Sequence, residues 1–441
     1  MLIGSVVLTV IATPPEPVSV LLWFSLAPLI LSVRKAGVLW SGILIYAWAL
    51  LYYLGALRWT VADGGDIFTY LWCAGLLAVP YGIAGLIRHF PRQRWRGIVG
   101  VIVQAALFTA VGSSVSVMAS FIPMLGVVGN DSLLVWARFG GFPILAFGIW
   151  LVNGFWAEWI AKLHEERKHA KRHFGMAVMI ALIMSVGGGF ALDLFSKKIA
   201  QGREYHIGIT FETDRQVRKE MFLWEPEFDL IIYAHAGDLD LDEIQLASGF
   251  GGQPVISLDM TKNEGEIGTI YWPEGQQLHP LLQGSAPSAL NKIFRNSGAK
   301  SEKSSPALAK TPMVVLTPSD LTDPGRVRQI LAEHGALIIL WNTEPWALTA
   351  DGLRYCVAQL AARCAENGIS AIYMDSARRV FRVSRFGQVS SDLLNLGEGP
   401  ERSEFFMKGV GKNRSLPGML VVAGCWVIFT GAAVTARLKR E

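Results

Sequence analysis

The sequence predicts an α-helical membrane domain of about seven or eight spans joined to an α/β domain built as an α–β–β–α sandwich. Three observations lead to this fold class. The chain has 441 residues, 51% of them hydrophobic and only 17% charged, with a mean hydropathy of +0.36, which is apolar for a water-soluble protein. The apolar residues are segregated: long runs fill residues 1–196 and 416–436, whereas 197–415 has a mixed composition. Within the mixed part, strand and helix patterns alternate twice in the same order, which suits two sheets stacked face to face with helices outside. The expected domains are therefore 1–196, 197–415, and 416–441 with a basic tail.

The candidate spans are 18–33, 37–57, 67–87, 97–122, 133–160, 174–196 and 416–436, each read as long enough to cross a hydrocarbon core. Residues 2–12 are apolar but short, and Pro14-Pro15 separate them from the next run. They predict either a further span or half of a re-entrant hairpin. A cleaved signal peptide is the competing reading, but it lacks a basic leader and a small-residue cleavage site. The segment YYLGALRW closes the 37–57 run with the aromatic residues of a membrane surface. Arg138, in LLVWARFGG, falls inside or at the edge of a span. It is either a functional intramembrane charge or a side chain reaching back to the interface.

Basic residues orient the spans. Arg34-Lys35, then Arg88, Arg92, Arg94 and Arg96, then Arg167, Lys168, Lys171 and Arg172, occupy alternate loops, and Arg437, Lys439 and Arg440 follow the last span. All four clusters can be cytoplasmic together, which places 197–415 on the periplasmic side of a bacterial inner membrane. These clusters account for the net charge of +4, so no nucleic-acid partner is expected. Of the four cysteines, Cys73 and Cys425 lie in spans, and Cys356 and Cys364 stand eight apart on one predicted helix. At ~1.5 Å per residue that separation is roughly 12 Å, beyond disulfide reach, so all four read as core residues. His206, His279 and His334 show no metal-ligand spacing; no metal and no cofactor is predicted.

In the soluble domain, HIGITF reads as a strand, Thr213–Trp224 as a short helix, FDLIIYAH (228–235) as a buried strand and Asp238–Phe250 as a helix. PVISLDM and EIGTIYW are strands flanking a Lys262–Gly265 turn, and the Ser/Pro/Lys-rich stretch 283–311 reads as a loop. Next come a Val-rich strand at Met313–Leu316, a turn Thr317-Pro318-Ser319-Asp320, a helix capped by Asp323 and ended by Gly335, and an apolar strand at Ala336–Trp341. Such a crossover makes the two strands parallel neighbours, and sites of open α/β sheets lie at the carboxyl ends of their strands. A helix from Thr349 to Asn367 ends at Gly368, and the strands SAIYM and RVFRVS precede a Gly387 turn.

Three stretches carry a family resemblance: PPEPVSVLLWFSLAPLIL, FDLIIYAHAGDL, and VVLTPSD with RQILAEHGALIILWNTEPW. Together with the domain order, they resemble the bacterial apolipoprotein N-acyltransferases, which carry a nitrilase-type (carbon–nitrogen hydrolase) domain before their last span. The resemblance implies a nitrilase-like α–β–β–α sandwich and a Glu-Lys-Cys site. In such chemistry a thiol attacks a carbonyl, a carboxylate moves the proton and a lysine stabilises the oxyanion. On these residues the Glu position is His235, the Lys position falls near Gly275, and the Cys position is Thr317. An acidic residue expected two positions later stands as Ser319, and an expected Asn-Thr-Gly stands as Asp375-Ser376-Ala377.

The scaffold strands are kept and the reacting groups are absent. No catalytic residue is therefore assigned, and the triad reads as degenerate. Thr317 with His235 as its base is an alternative, as is Glu274 in YWPEG as a displaced carboxylate. Glu225 and Glu227 read as a solvated loop, and Asp320 and Asp323 as turn and cap residues. The expected function is a catalytically degenerate, membrane-anchored protein with a binding or assembly role in the cell envelope. The conjugal-transfer TraB-type branch of the family supplies one precedent. The alternative is an active N-acyltransferase that moves an acyl chain from phospholipid to a lipoprotein N-terminus. Expected partners are membrane lipid and a lipoprotein or envelope or secretion-channel proteins; a transporter ranks last.

Overall fold

The computed structural model describes residues 1–13, 18–58, 66–88, 97–119, 125–163, 167–199, 204–210, 230–235, 255–259, 266–271, 279–282, 313–321, 325, 327–328, 331, 337–342, 349–390, 402–408 and 418–438. It divides into two units. One comprises Met1–Ser196 with Arg414–Glu441, and the other Lys197–Pro287 with Asn291–Asn413.

The first unit is helical: α1 Leu2–Ile11, α2 Ala27–Arg34, α3 Val38–Ala56, α4 Ile67–Ile87, α5 Ile98–Ala119, α6 Asp131–Leu134, α7 Ala137–Lys162, α8 Arg167–Ile199 and α11 Gly418–Leu438. Among the described residues, five helices are long and apolar enough to cross a membrane, lying in α3, α4, α5, α7 and α8; Leu2–Ile11, Ser19–Arg34 and Leu420–Thr435 are shorter apolar stretches. The single helix expected over 18–33 is a correction. That stretch is a 3-10 turn, Ser19–Trp23, followed by the eight-residue α2. The break is invisible in hydropathy because the residues around it, Phe24-Ser25-Leu26, are themselves mostly apolar.

A side chain from elsewhere stitches the break. Asn153 of α7 is fully buried. Its Oδ1 accepts from Leu26 N–H at 2.8 Å and Ala27 N–H at 2.9 Å, and its Nδ2 donates to Leu22 O at 2.8 Å and Ile149 O at 2.9 Å. The first donors of α2, which an isolated helix leaves open, are thus capped across the bundle, Ala27 N–H also reaching Phe24 O at 3.3 Å. The short α1 packs alongside with its polar residues inward. Ser5 and Thr9 are buried while Ile3, Val7 and Ile11 are exposed, and Ser5 Oγ donates to Ser25 O at 2.5 Å.

The basic ends gather on one side of the helical unit. Arg34 pairs with Glu158 at 3.5 Å, and buried Arg88 donates to Val33 O at 2.9 Å, capping the carboxyl end of α2. The opposite ends meet where Ser19 Oγ donates to Gly126 O at 2.8 Å. Arg138 is the second residue of α7, and its guanidinium lies 4.8 Å from the ring centre of Phe195 near the end of α8. It stands at the end of a span, the geometry of an interfacial arginine stacked on an aromatic ring. Two residues later α7 is interrupted by non-helical Gly140 and Gly141, the latter at φ 66°.

Helices α3 and α4 approach closely through small residues, the usual means of packing in an apolar medium. A Cβ added at Gly85 would lie 2.8 Å from Ser41 O and 2.9 Å from Gly42 Cα, both backbone atoms that cannot step aside. Gly85→Leu is expected to destabilise this pair by roughly 2 kcal/mol or more. The check is a lowered thermal midpoint of the detergent-solubilised chain, with Gly37→Ala, which meets nothing within 4 Å, as the tolerated control.

The second unit holds two sheets. Sheet A has the order β10-β1-β2-β3-β4-β5, with β1 Glu204–Thr210, β2 Leu230–His235, β3 Val255–Asp259, β4 Glu266–Tyr271, β5 His279–Leu282 and β10 Arg402–Lys408. Sheet B has the order β6-β7-β8-β9, with β6 Met313–Leu316, β7 Leu337–Asn342, β8 Ser370–Asp375 and β9 Val380–Val383. In each sheet three parallel strands are followed by an antiparallel one. The doubled strand order expected from sequence is therefore present. Sheet A is extended at its two edges by β5 and β10, neither of which the sequence reading contained. Both pair antiparallel to their neighbours.

Helix α10, Ala350–Asn367, follows β7 and packs on β8 and β9. Its ends are those the sequence prescribes: Thr349 Oγ1 accepts from Gly352 N–H at 3.2 Å, and Gly368 turns left-handed at φ 64°. Its polar residues Gln359, Arg363, Glu366 and Asn367 are buried along with its apolar ones, and Arg363 and Glu366 form an ion pair. All six residues of β7 and all six of β8 are buried, so both faces of sheet B are covered. The expected helices at Thr213–Trp224 and Asp238–Phe250, the Lys262–Gly265 turn and the 283–311 loop lie outside the described residues. So do Asp323 and Gly335, although Gly325, Val327, Arg328 and Leu331 between them are helical.

Candidate functional site

The carboxyl ends of β6, β7 and β8 carry Thr317, Asn342 and Asp375, in sheet order. Thr317 directly follows β6 and is buried. The turn expected here is the helical turn α9, Pro318–Leu321. Thr317 N–H and Thr317 Oγ1–H both donate to Asp320 Oδ2 at 2.9 Å, and Asp320 N–H donates to Thr317 O at 3.0 Å. The sequence Thr-Pro-Ser-Asp thus forms the back-reaching half of a capping box, with Pro at the first helical position and the acidic residue accepting from the cap amide. The Thr317 hydroxyl spends its proton on a carboxylate, a weak base for an alcohol. The place where a nucleophile is expected is filled by a structural hydrogen bond.

At the ends of β7 and β8, register sets Asn342 beside Asp375 and Leu340 beside Tyr373. Asn342 Nδ2 donates to Tyr373 Oη at 2.6 Å, and Tyr373 Oη–H donates to Asp375 Oδ2 at 3.0 Å. Arg379 Nε donates to the same Oδ2 at 2.7 Å, while Ala377 N–H and Arg379 N–H donate to Oδ1 at 3.0 and 2.9 Å. All four side chains are buried. Burial raises the Asp375 carboxyl above its ordinary value, and the Arg379 charge with the hydrogen bonds pulls the other way. Burial also lifts the Tyr373 phenol, with the Asp375 charge adding to it. The Asp375-Ser376-Ala377 segment is therefore the start of a hairpin turn closed by its own aspartate. It passes through Arg378, the one non-glycine with positive φ (62°) among the described residues.

Cys356 and Cys364 lie within α10 and are fully buried, and burial raises the Cys364 thiol. Cys356 lies close enough to the Tyr373 phenol, near the end of β8, to add to the raising of that phenol. Both thiols are expected to resist maleimide in the folded chain and to react only after denaturation, read by mass shift. His235 is the last residue of β2, in register with Asp259. Glu274, Gly275, Glu225, Glu227 and His334 lie outside the described residues. Among the described residues, no group of three or more His, Cys, Asp or Glu could hold a metal ion. Sequence reasoning missed the Asn342–Tyr373–Asp375–Arg379 network, which needs the β7–β8 register to be seen. It also missed the Thr317–Asp320 closure, whose Thr-x-x-Asp spacing was the available signal.

No family model matches the chain, and no curated protein matches it. Among solved structures it is similar to Nit3 of Saccharomyces cerevisiae, described as a member of branch 10 of the nitrilase superfamily. The identity is 10%, covering 47% of this chain and 90% of that one, with a TM-score of 0.31. It is also similar to an amidase from Nesterenkonia sp., at 14% identity over 47% of this chain and 92% of that one, with a TM-score of 0.32.

Proposed function

We propose that this chain is a catalytically degenerate, membrane-anchored nitrilase-type protein, akin to the apolipoprotein N-acyltransferases, that acts by binding or assembly in the cell envelope. The observation that carries the reading is Thr317: a buried hydroxyl, given over to Asp320, stands where the thiol is expected. The doubled parallel-parallel-antiparallel strand order supports the sandwich. The complete burial of β7 and β8 calls for a second layer opposite α10, and sheet A is the element suited to that place. The five long apolar helices support a membrane-embedded chain. The gathering of Arg34 and Arg88 at one end of the helical unit supports an inner-membrane topology with that end cytoplasmic and residues 197–415 periplasmic. Partners of this reading are membrane lipid and a lipoprotein or envelope or secretion-channel proteins, and a role in plasmid conjugal transfer is its most specific form.

The test is complementation. The chain is expressed in cells depleted of their own lipoprotein N-acyltransferase, and N-acylation of a model lipoprotein is read by mass spectrometry. The expected result is no triacylated product from a chain shown to be folded and inserted. Product that disappears on Thr317→Ala or Glu274→Ala would overturn the reading in favour of an active acyltransferase with displaced residues. Topology is checked separately by fusing an export-dependent phosphatase after Glu441, which is expected to be inactive.

A further inference from the structure

Four aromatic rings form a row on the face shared by the entry to α2, α7 and α8. The ring centres of Phe24 and Trp156 are 5.3 Å apart, Trp156 is 5.2 Å from Trp159 and 5.5 Å from Phe174, and Trp159 is 5.2 Å from Phe174. The row is open to the outside: Phe24 is 45% exposed and Phe174 41%, and the two tryptophans are half-buried. Within it the Trp156 Nε1–H is buried and meets no acceptor among the described residues, a donor left over in apolar surroundings. Toward the helix ends lie Arg34 and Glu158, paired at 3.5 Å, and exposed Lys35 and Lys171. Lys171 precedes Phe174 by three residues and shares its side of α8, whereas exposed Arg172 stands about 200° round the helix from Phe174. Glu158 is the one carboxylate among the described residues of this end, and Arg34 neutralises it, so the described residues here carry net positive charge.

We propose that this row is a binding groove for one anionic glycerophospholipid. The acyl chains lie along Phe24, Trp156, Trp159 and Phe174. An ester carbonyl accepts from the Trp156 N–H, and the phosphate meets Lys171 and the Arg34 guanidinium. Rings toward the interior of the helical unit and cations toward its end match a phospholipid taken from tail to headgroup. Helices α7 and α8 are both long and apolar enough to cross a membrane, so lipid is what meets their outer face. The cations select among lipids: basic pockets between helix ends hold anionic headgroups in preference to zwitterionic ones. The inference rests on the membrane-embedded part of the reading above and on nothing at Thr317, so either can fail without the other.

The experiment uses the full chain in detergent micelles doped with phosphatidylglycerol that carries a photoactivatable diazirine in its acyl chain. After irradiation the labelled peptides are read by mass spectrometry. Label is expected to concentrate in peptides spanning 153–163 and 170–178, and to be displaced by excess unlabelled phosphatidylglycerol but not by the same excess of phosphatidylcholine. Lys171→Gln, at an exposed position, lowers labelling of these peptides about fivefold. Trp156→Phe, which keeps a ring and removes the donor, lowers it about threefold. Arg172→Gln, on the other flank of α8, lowers it by less than about twofold. Equal displacement by the two lipids, or equal losses from Lys171→Gln and Arg172→Gln, would overturn the proposal and leave only diffuse surface charge. Label spread evenly over the outer faces of α3, α4 and α8 would overturn it as well, while the membrane reading stood. A helical unit that takes up no label at all would sink both.

Discussion

Replacing Asn153 by Leu is expected to lower the stability of the helical unit by about 3–6 kcal/mol, the sum for several polar groups left without partners in an apolar surrounding. The side chain is nearly isosteric, so the loss is not one of volume. Leu26 N–H loses its acceptor, Ala27 N–H keeps only a long bond to Phe24 O at 3.3 Å, and Leu22 O loses its donor; hydrocarbon offers no substitute. The readout is the thermal midpoint of the chain in mild detergent, expected to fall by about 6–24 °C at 2–4 °C per kcal/mol. Asn153→Gln carries the same groups one methylene out of place and should recover little. A midpoint within 2 °C of wild type would mean that water or lipid reaches the break at Phe24–Leu26.

The second large effect is expected at Asp375. Asp375→Ala removes the common acceptor of Tyr373, Arg379 and two backbone amides. Stranding a buried guanidinium and its neighbours in this way costs about 3–5 kcal/mol. Asp375→Asn keeps one acceptor oxygen and sets its NH2 against the donors of the other, so it should recover only part of that loss. Burial already raises the carboxyl above its ordinary value, so the network depends on the acceptor oxygens more than on full negative charge. The sign follows from the same shift. A carboxyl whose folded value is raised contributes its stability fully below the unfolded value and loses it as pH climbs through the folded one. Acidification from neutral pH toward 4 is thus expected to leave the β8–β9 hairpin no weaker through this group. Hydrogen exchange of peptides spanning 370–383 measures both effects; rapid exchange in acid that Asp375→Asn abolishes would contradict the assignment.

How much was legible in the sequence depended on the range of the interactions involved. Helix α10 could be read to the residue because its stop and start signals, Thr349 and Gly368, act within one turn. The long spans were equally plain, since hydropathy sums over the whole segment. The break inside 18–33 was hidden because its cause is Asn153, more than a hundred residues away. Strands β5 and β10 were missed for a related reason. Edge strands such as RSEFFMK are short and partly polar, and only their partners β4 and β1 make them strands. At the candidate site Thr317 was singled out from sequence as the residue following β6. What holds it was encoded three residues on but became evident only when the two groups were seen at 2.9 Å. The network around Asp375 joins residues 31 positions apart and lies beyond any local pattern.

The stitched break also has a history in time. Ala27 and Asn153 are separated by 126 positions. At about 5–20 residues per second, synthesis delivers the second roughly 6–25 s after the first. During that interval Leu26 N–H lacks the Asn153 acceptor and Ala27 N–H has only Phe24 O, at 3.3 Å. The Asn153 bonds that close the break at Phe24–Leu26 therefore form only once α7 has emerged. The amino-terminal end is made first, yet one of its locks comes from a helix made 126 positions later.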